Sequence, residues 1–304
     1  MPTDCEITSD SIYGKAVDIK AVNKWFEKNQ RQLPWRNSDC SSWGVLVSEV
    51  MLQQTPVSRV EPVWANWMTR WPTSTSLANA LQADAVREWG DLGFPRRAMY
   101  LHKTAISLEE NFGGSVPQDF ESLIQLPGIG DYTARAIRAF AFGIPESVVD
   151  TNIRRVIARA EFGAAQAGAP QLNADRQAVN AVLRNFDDKS QVLGAKALME
   201  LGALVCRART PACDDCPIRN KCSWRGKGYP EFEGRKRRST NPYLGSDRQV
   251  RGLIVRTLQN RVGPMPEKIL LNLWRDEKQA SRALESLIKD GLASRSPEGV
   301  HLTR

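Results

Sequence analysis

Four cysteines, Cys206, Cys213, Cys216 and Cys222, fall within 17 residues at the spacing C-x6-C-x2-C-x5-C. A segment this short must fold back on itself if its thiols act together, so it constrains the chain around it. The N-terminus, "MPTDCEITSDSIYGK", has no apolar core of a signal peptide, and no stretch approaches the length of a membrane helix. The chain therefore reads as cytoplasmic, where a disulfide framework is disfavoured. Zinc and an iron–sulfur cluster remain. Structural zinc sites usually pair two tight cysteine knuckles across a longer loop, and here one pair is tight. A compact loop of four thiolates also suits a [4Fe–4S] cluster. Cys5 and Cys40 lie outside the pattern and read as plain thiols.

Up to about residue 225 the periodicity is helical. Ile19, Val22, Trp25 and Phe26 mark one amphipathic face, and Val57, Val60, Trp64, Trp67, Met68 and Trp71 mark another. Further helices are expected near 83–91, 96–111, 119–125, 131–142, 150–161 and 188–207. No run of alternating strands appears, so this part reads as all-α. Residues 226–245, rich in Gly, Pro and charge, read as a basic linker. Beyond it, three short helices at 246–260, 266–275 and 277–290 and a hairpin around Pro-Glu-Gly suggest a small winged-helix-like domain.

The net charge is +8, and residues 206–240 carry ten Lys or Arg against four Asp or Glu. Such a segment is a solvated linker or a phosphate-facing patch. With two histidines, His102 and His301, neither a serine–histidine triad nor a histidine-rich metal site is expected. Acid–base chemistry falls to carboxylates. "GVLVSEVMLQQT", 44–55, is apolar around most of a helix with Glu49 in its middle. A helix apolar all round is buried, and a buried carboxylate is costly unless neutral, paired or working.

"LPGIGDYTARAI", 126–137, places Gly128 and Gly130 in a tight turn leading into a helix. The free N–H groups of a helix start attract anions. Asp150 opens "DTNIRRVIARA" twenty residues after Gly130. Alone, it reads as the N-cap of a helix with Ile153, Val156, Ile157 and Ala160 on one face.

Together, "LPWR" at 33–36, "SEVMLQQT" at 48–55, "LPGIGDYTA" at 126–134, "VVDTNIRRV" at 148–156 and the four cysteines resemble the MutY-type adenine DNA glycosylases. These belong to the helix–hairpin–helix, endonuclease III superfamily, and the likeness covers about residues 18–225 in an actinobacterial-like form. The resemblance implies two helical domains. One, 18–30 with 156–225, holds a [4Fe–4S] cluster on the four cysteines. The other, 31–155, is a helical barrel with the hairpin, and a tail (1–17), the linker and the winged-helix-like domain (246–304) complete the chain.

The resemblance implies a monofunctional enzyme of base excision repair, removing adenine opposite 8-oxoguanine or G in double-stranded DNA. It also implies a monomer with no membrane partner, whose abasic product passes to a downstream nuclease. Glu49 would be the acid that protonates the leaving base, its pKa raised by apolar surroundings. Asp150 would stay ionised beside the sugar. Bifunctional relatives carry a Lys where this chain has Tyr132, and a phenol cannot form an imine. Trp35 and Arg36 would line the adenine pocket, Gln54 would reach into the duplex, and Gly128 and Gly130 would grip phosphate. Phe94 stands where the family usually has a Tyr wedge.

Two departures stand out. Lys196 occupies the place of a Gln or Glu in many members, and the usual Nudix-like domain that reads 8-oxoguanine is expected to be absent, because the winged-helix-like patterning after the linker does not hold it. The competing readings are an endonuclease III-like or thymine-mismatch glycosylase, and a non-enzymatic iron–sulfur DNA-binding regulator.

Overall fold

The computed structural model describes residues 16–232 and 243–304. Cys5 and residues 233–242 of the linker lie outside the described residues. In chain order the first helices are α1 (Ile19–Asn29), α2 (Ser42–Leu52), α3 (Val57–Arg70), α4 (Ser74–Ala78), α5 (Gln82–Glu88), α6 (Arg96–Phe112), α7 (Phe120–Gln125) and α8 (Asp131–Phe142). They are followed by α9 (Thr151–Ala160), α10 (Leu172–Leu183), α11 (Asp188–Leu204), α12 (Ser223–Gly226), α13 (Asp247–Gln259), α14 (Glu267–Leu271) and α15 (Glu277–Lys289). Strands β1 (Ala293–Ser296) and β2 (Gly299–Leu302) pair antiparallel, Ala293 opposite Leu302. Among the described residues the fold is helical apart from this hairpin, and no helix is long and apolar enough to cross a membrane.

The chain divides into two compact units. One contains the described residues up to Gln32 and those from Ala134 to 232. Its core joins Ile19, Val22 and Phe26 of α1 to Ile153, Val156 and Ile157 of α9, Val179, Val182 and Leu183 of α10, and Leu198 and Leu201 of α11. Asp18 starts α1 by accepting the Ala21 N–H at 3.1 Å. Gly202 lets α11 press on the start of α9: a Cβ there would lie 2.9 Å from the backbone oxygen of Asn152. Glu200 is fully buried, and the Arg31 guanidinium meets it with two hydrogen bonds, of 2.9 and 2.8 Å, which offset its desolvation.

The other unit contains 33–133 and the described residues from 243 onward. Every residue of α2 from Trp43 to Met51 is buried, as an all-round apolar helix requires. α3 lies against it, with Trp64 Nε1 donating to the Gly44 carbonyl at 2.8 Å. Trp67 packs edge-on against Trp71 and Trp89 at ring separations of 4.9 and 5.5 Å. The segment 243–304 folds as α13, α14, α15 and the hairpin around Val250, Ile254, Leu258, Leu284, Leu287 and Val300. Gly299 is needed where β2 passes Met265, because a Cβ would meet that residue's backbone oxygen at 2.3 Å.

Candidate active site

Glu49 lies in the last two turns of α2 at 7% exposure. Backbone N–H groups in mid-helix are committed to the preceding turn, so this carboxyl gains nothing from a helix end. Its neighbours along the helix, Val45, Leu46, Val50 and Met51, are buried apolar residues.

Just beyond α2 the chain turns through Gln54, exposed and held at φ 59°. Phe94 is the other exposed non-glycine residue of this unit with positive φ, at 50° and 49% exposure. Left-handed backbone costs an ordinary side chain on the order of 1–3 kcal/mol, so surrounding contacts must hold it. Arg97, 8% exposed, is the holder. Its guanidinium donates to the carbonyls of Met51 at 2.9 Å and Gln53 at 2.6 Å. It also donates to Thr55 Oγ1 at 2.9 Å and to the Gly93 carbonyl at 3.0 Å. One buried cation thus closes the C-terminus of α2 and ties the Gln54 turn to the Phe94 loop. Burial pulls its pKa down to about 10, which leaves it charged at neutral pH. Arg97 was absent from the expected site; the second of two adjacent arginines in the first turn of a helix gives no sign of burial.

Trp35 sits buried in a short helical turn, Pro34–Arg36, edge-on to Trp64 at 5.7 Å; Arg36 is half-buried beside it. In the hairpin, Gly128 has φ 79°, and a Cβ there would strike Tyr100 Cβ at 2.7 Å. Gly130 differs: a Cβ on it would meet nothing within 4 Å. Protein packing therefore does not require glycine at 130. Asp131 and Tyr132 open α8, and Thr133 Oγ1 accepts from Gln53 Nε2 at 3.2 Å.

In the first unit Asp150 is the N-cap of α9. Its carboxylate accepts the Ile153 N–H at 2.6 Å and Asn152 Nδ2 at 2.7 Å. Burial pushes its pKa up from the ordinary carboxylate value, and the two hydrogen bonds, with the nearby Arg155 charge, counter that only in part. Arg155 reaches on from Asn152 Oδ1, at 2.7 Å, to the Gly202 and Cys206 carbonyls, each at 2.6 Å. Lys196 of α11 places its ammonium 5.6 Å from the centre of the Phe140 ring.

The four cysteines are half-buried, and none of them is in a disulfide. Burial raises the Cys206 thiol, and raises Cys216 to about 11, where the charges of Cys206, Cys222 and Cys213 add to the effect. That mutual influence marks thiols that face one another. Arg159, 3% exposed, donates to Cys206 Sγ at 3.4 Å and to the Arg207 and Ala208 carbonyls, and stacks on Trp224 at 4.4 Å. A buried guanidinium bonded to one of the four thiols is a positive charge that would favour a thiolate there. No group of three or more His, Cys, Asp or Glu among the described residues is arranged to hold a metal ion. Arg207, Arg209, Arg219 and Lys221 of the loop are exposed.

The class follows from a match of residues 47–181 to the family described as HhH-GPD superfamily base excision DNA repair protein. The same fold occurs in a thermostable thymine-DNA glycosylase, with a TM-score of 0.60 at 24% identity over 69% of this chain and 95% of that one. Endonuclease III, solved in a non-covalent complex with DNA, has a TM-score of 0.58 at 20% identity over 69% and 94%. The adenine DNA glycosylase of Mycobacterium tuberculosis is 46% identical over 90% of both chains. The human adenine DNA glycosylase is 37% identical over 71% of this chain and 41% of its own. The chain belongs to the adenine DNA glycosylase family: it is a base-excision repair enzyme, a hydrolase acting on N-glycosyl bonds.

Proposed function

We propose that this glycosylase excises adenine mispaired with 8-oxoguanine or G by a monofunctional, two-carboxylate mechanism. The observation that carries the reading is Glu49, a carboxyl at 7% exposure on a buried helix, with Val45, Leu46, Val50 and Met51 beside it. Such surroundings favour the neutral acid, the form that can donate a proton. Glu49 gives its proton to N7 of the extruded adenine. The C1′–N9 bond then breaks with its electron pair leaving on the base. Asp150, in its ionised form, faces the electron-poor sugar and stabilises it or bonds to it transiently. Water adds at C1′, its surplus proton passes to a carboxylate, and an abasic site remains. Trp35 and Arg36 form the adenine pocket in this reading.

Tyr132 makes the enzyme monofunctional, because it supplies no amine for a Schiff base. Borohydride should therefore trap no covalent protein–DNA complex, and the product strand should break only after alkali or a nuclease. Adenine must leave the stack before chemistry. In this reading the exposed, left-handed Gln54 and Phe94 intrude into the duplex. Gly130 offers bare backbone to a phosphate at the start of α8. In this reading Cys206, Cys213, Cys216 and Cys222 would hold a [4Fe–4S] cluster, whose thiolate ligands stand farther apart than those of a single metal ion, with Arg159 beside Cys206 as counter-charge. When bound, the cluster supplies structural rigidity, and the exposed loop arginines meet DNA phosphates.

The test is single-turnover excision by Glu49→Gln over a panel holding A opposite 8-oxoguanine, A opposite G, T opposite G and thymine glycol. The parent should act on the two adenine mispairs. The variant should lose about 10²- to 10⁴-fold in rate, with duplex affinity within about twofold of the parent. An active Gln variant, or parental activity on T:G or thymine glycol alone, removes the proposal.

A further inference from the structure

The loop that carries Phe94 is held from two sides, and one side is the C-terminal module 243–304. From within, Arg97 and Trp89 Nε1 bond the Gly93 carbonyl, at 3.0 and 2.9 Å. From without, α13 lies along α5 and the turn Gly90–Leu92. Gln259 Nε2 donates to the Val86 carbonyl at 2.7 Å, and more weakly to the Gly90 carbonyl at 3.4 Å. Arg256 Nη2 pairs with Asp91 at 2.7 Å. At the far end of the loop Asp290 faces Arg96 at 3.6 Å, while its other oxygen is bonded to Arg251 of α13 at 2.6 Å. Gln82 of α5 closes the contact by donating to the Gly291 carbonyl at 2.9 Å. The module therefore touches the loop at Gly90, Asp91 and Arg96, on both flanks of Phe94.

The loop needs such support. Gly90, Gly93 and Phe94 all have positive φ, at 52°, 78° and 50°, within five residues. A phenyl ring exposed on a left-handed backbone keeps its place only if the backbone is fixed from several directions. Three arginines of the module are engaged by its own acids, while Arg248, Arg261, Arg275 and Arg304 are exposed. Arg295 is held by Glu267 and Glu285, Arg251 by Asp290 and Arg282 by Asp247. Cations neutralised this way contribute little to phosphate binding.

We propose that the C-terminal module is a brace for the Phe94 loop, with Gln259 and Arg256 as positioning residues that set how firmly Phe94 enters the duplex. This rests on the reading of Phe94 as a wedge. It assigns the module a part in adenine excision that needs no contact of its own with DNA.

The experiment uses the full chain in single-turnover excision of adenine opposite 8-oxoguanine, with melting temperature and affinity for a matched duplex as controls. Gln259→Ala and Arg256→Asp should each slow excision roughly five- to tenfold, the scale of one or two lost hydrogen bonds. Melting temperature and matched-duplex affinity should stay at the parental values. Adding Asp91→Arg to Arg256→Asp should restore the rate, because the ion pair is rebuilt with reversed sign. Phe94→Ala should be slow, and Gln259→Ala should add nothing to it. Parental rates in Gln259→Ala and Arg256→Asp, or their full defect persisting on top of Phe94→Ala, overturn the brace while leaving the wedge intact. So does a lowered melting temperature that the charge swap repairs without repairing the rate. A parental rate in Phe94→Ala overturns the wedge and the brace together.

Discussion

Helix α2 and the start of α9 each carry one of the two carboxyls in the proposed mechanism, and they hold them by opposite means. Glu49 lies within a helix whose backbone donors are already used and whose neighbours are apolar. Asp150 lies at a helix start, where free N–H groups meet it, and Asn152 adds a side-chain bond. Burial raises the Asp150 pKa even so. A helix N-terminus thus moderates the cost of burying an anion without abolishing it, whereas a mid-helix position draws no such help from the backbone of its own helix.

The strongest way to break this contrast is to remove each acid in turn. Asp150→Asn should lower single-turnover excision by about 10²- to 10⁴-fold, comparable to Glu49→Gln. Excision within tenfold of the parent in either variant would show that the two acids do not divide the work. Stability separates them more finely. A folded pKa above the unfolded one means that Asp150 favours the folded state at low pH and loses that contribution as pH rises through the folded pKa. Asparagine still caps a helix. Asp150→Asn should therefore melt no lower than the parent at pH 7 and higher if burial dominates, with the gap closing toward pH 4. A variant that melts well below the parent at pH 7 would mean that the ionised Asp150 stabilises the fold.

A smaller effect tests the hairpin. Gly130→Ala meets no steric obstacle and should keep the parental melting temperature. Its duplex affinity should fall about tenfold if a phosphate approaches the backbone there. Unchanged affinity would make Gly130 an ordinary loop residue. The smallest expected change is in salt dependence. Replacing Arg207 or Arg209 by Ala should reduce the slope of log affinity against log salt by about one each, with excision from bound DNA unaffected. An unaltered slope would remove the cysteine loop from the DNA contact.

The helical character of the chain was open to reading because its core residues recur at helical spacing, as Ile153, Val156, Ile157 and Ala160 do in α9. α10 was missed. Its buried residues, Ala178, Val179, Val182 and Leu183, crowd its second half, while the first half is polar and gives no periodic signal. The five-residue α4 is too short to show a period. Among the site residues, Gly128 was readable because a positive φ demands glycine. Arg97 was not, because an arginine buried among carbonyl groups looks in one dimension like any surface arginine.

The sequence by itself determined the family, the positions of the two carboxylates and the four thiols, and which helix would be apolar all round. These are properties of residue type and spacing, which survive without coordinates. Tertiary structure decided that burial outweighs a helix cap at Asp150, that one guanidinium joins the Gln54 turn to the Phe94 loop, and that the C-terminal module grips that loop. Each of these depends on which distant atoms are brought within hydrogen-bonding range, and on how much water is removed around a charge.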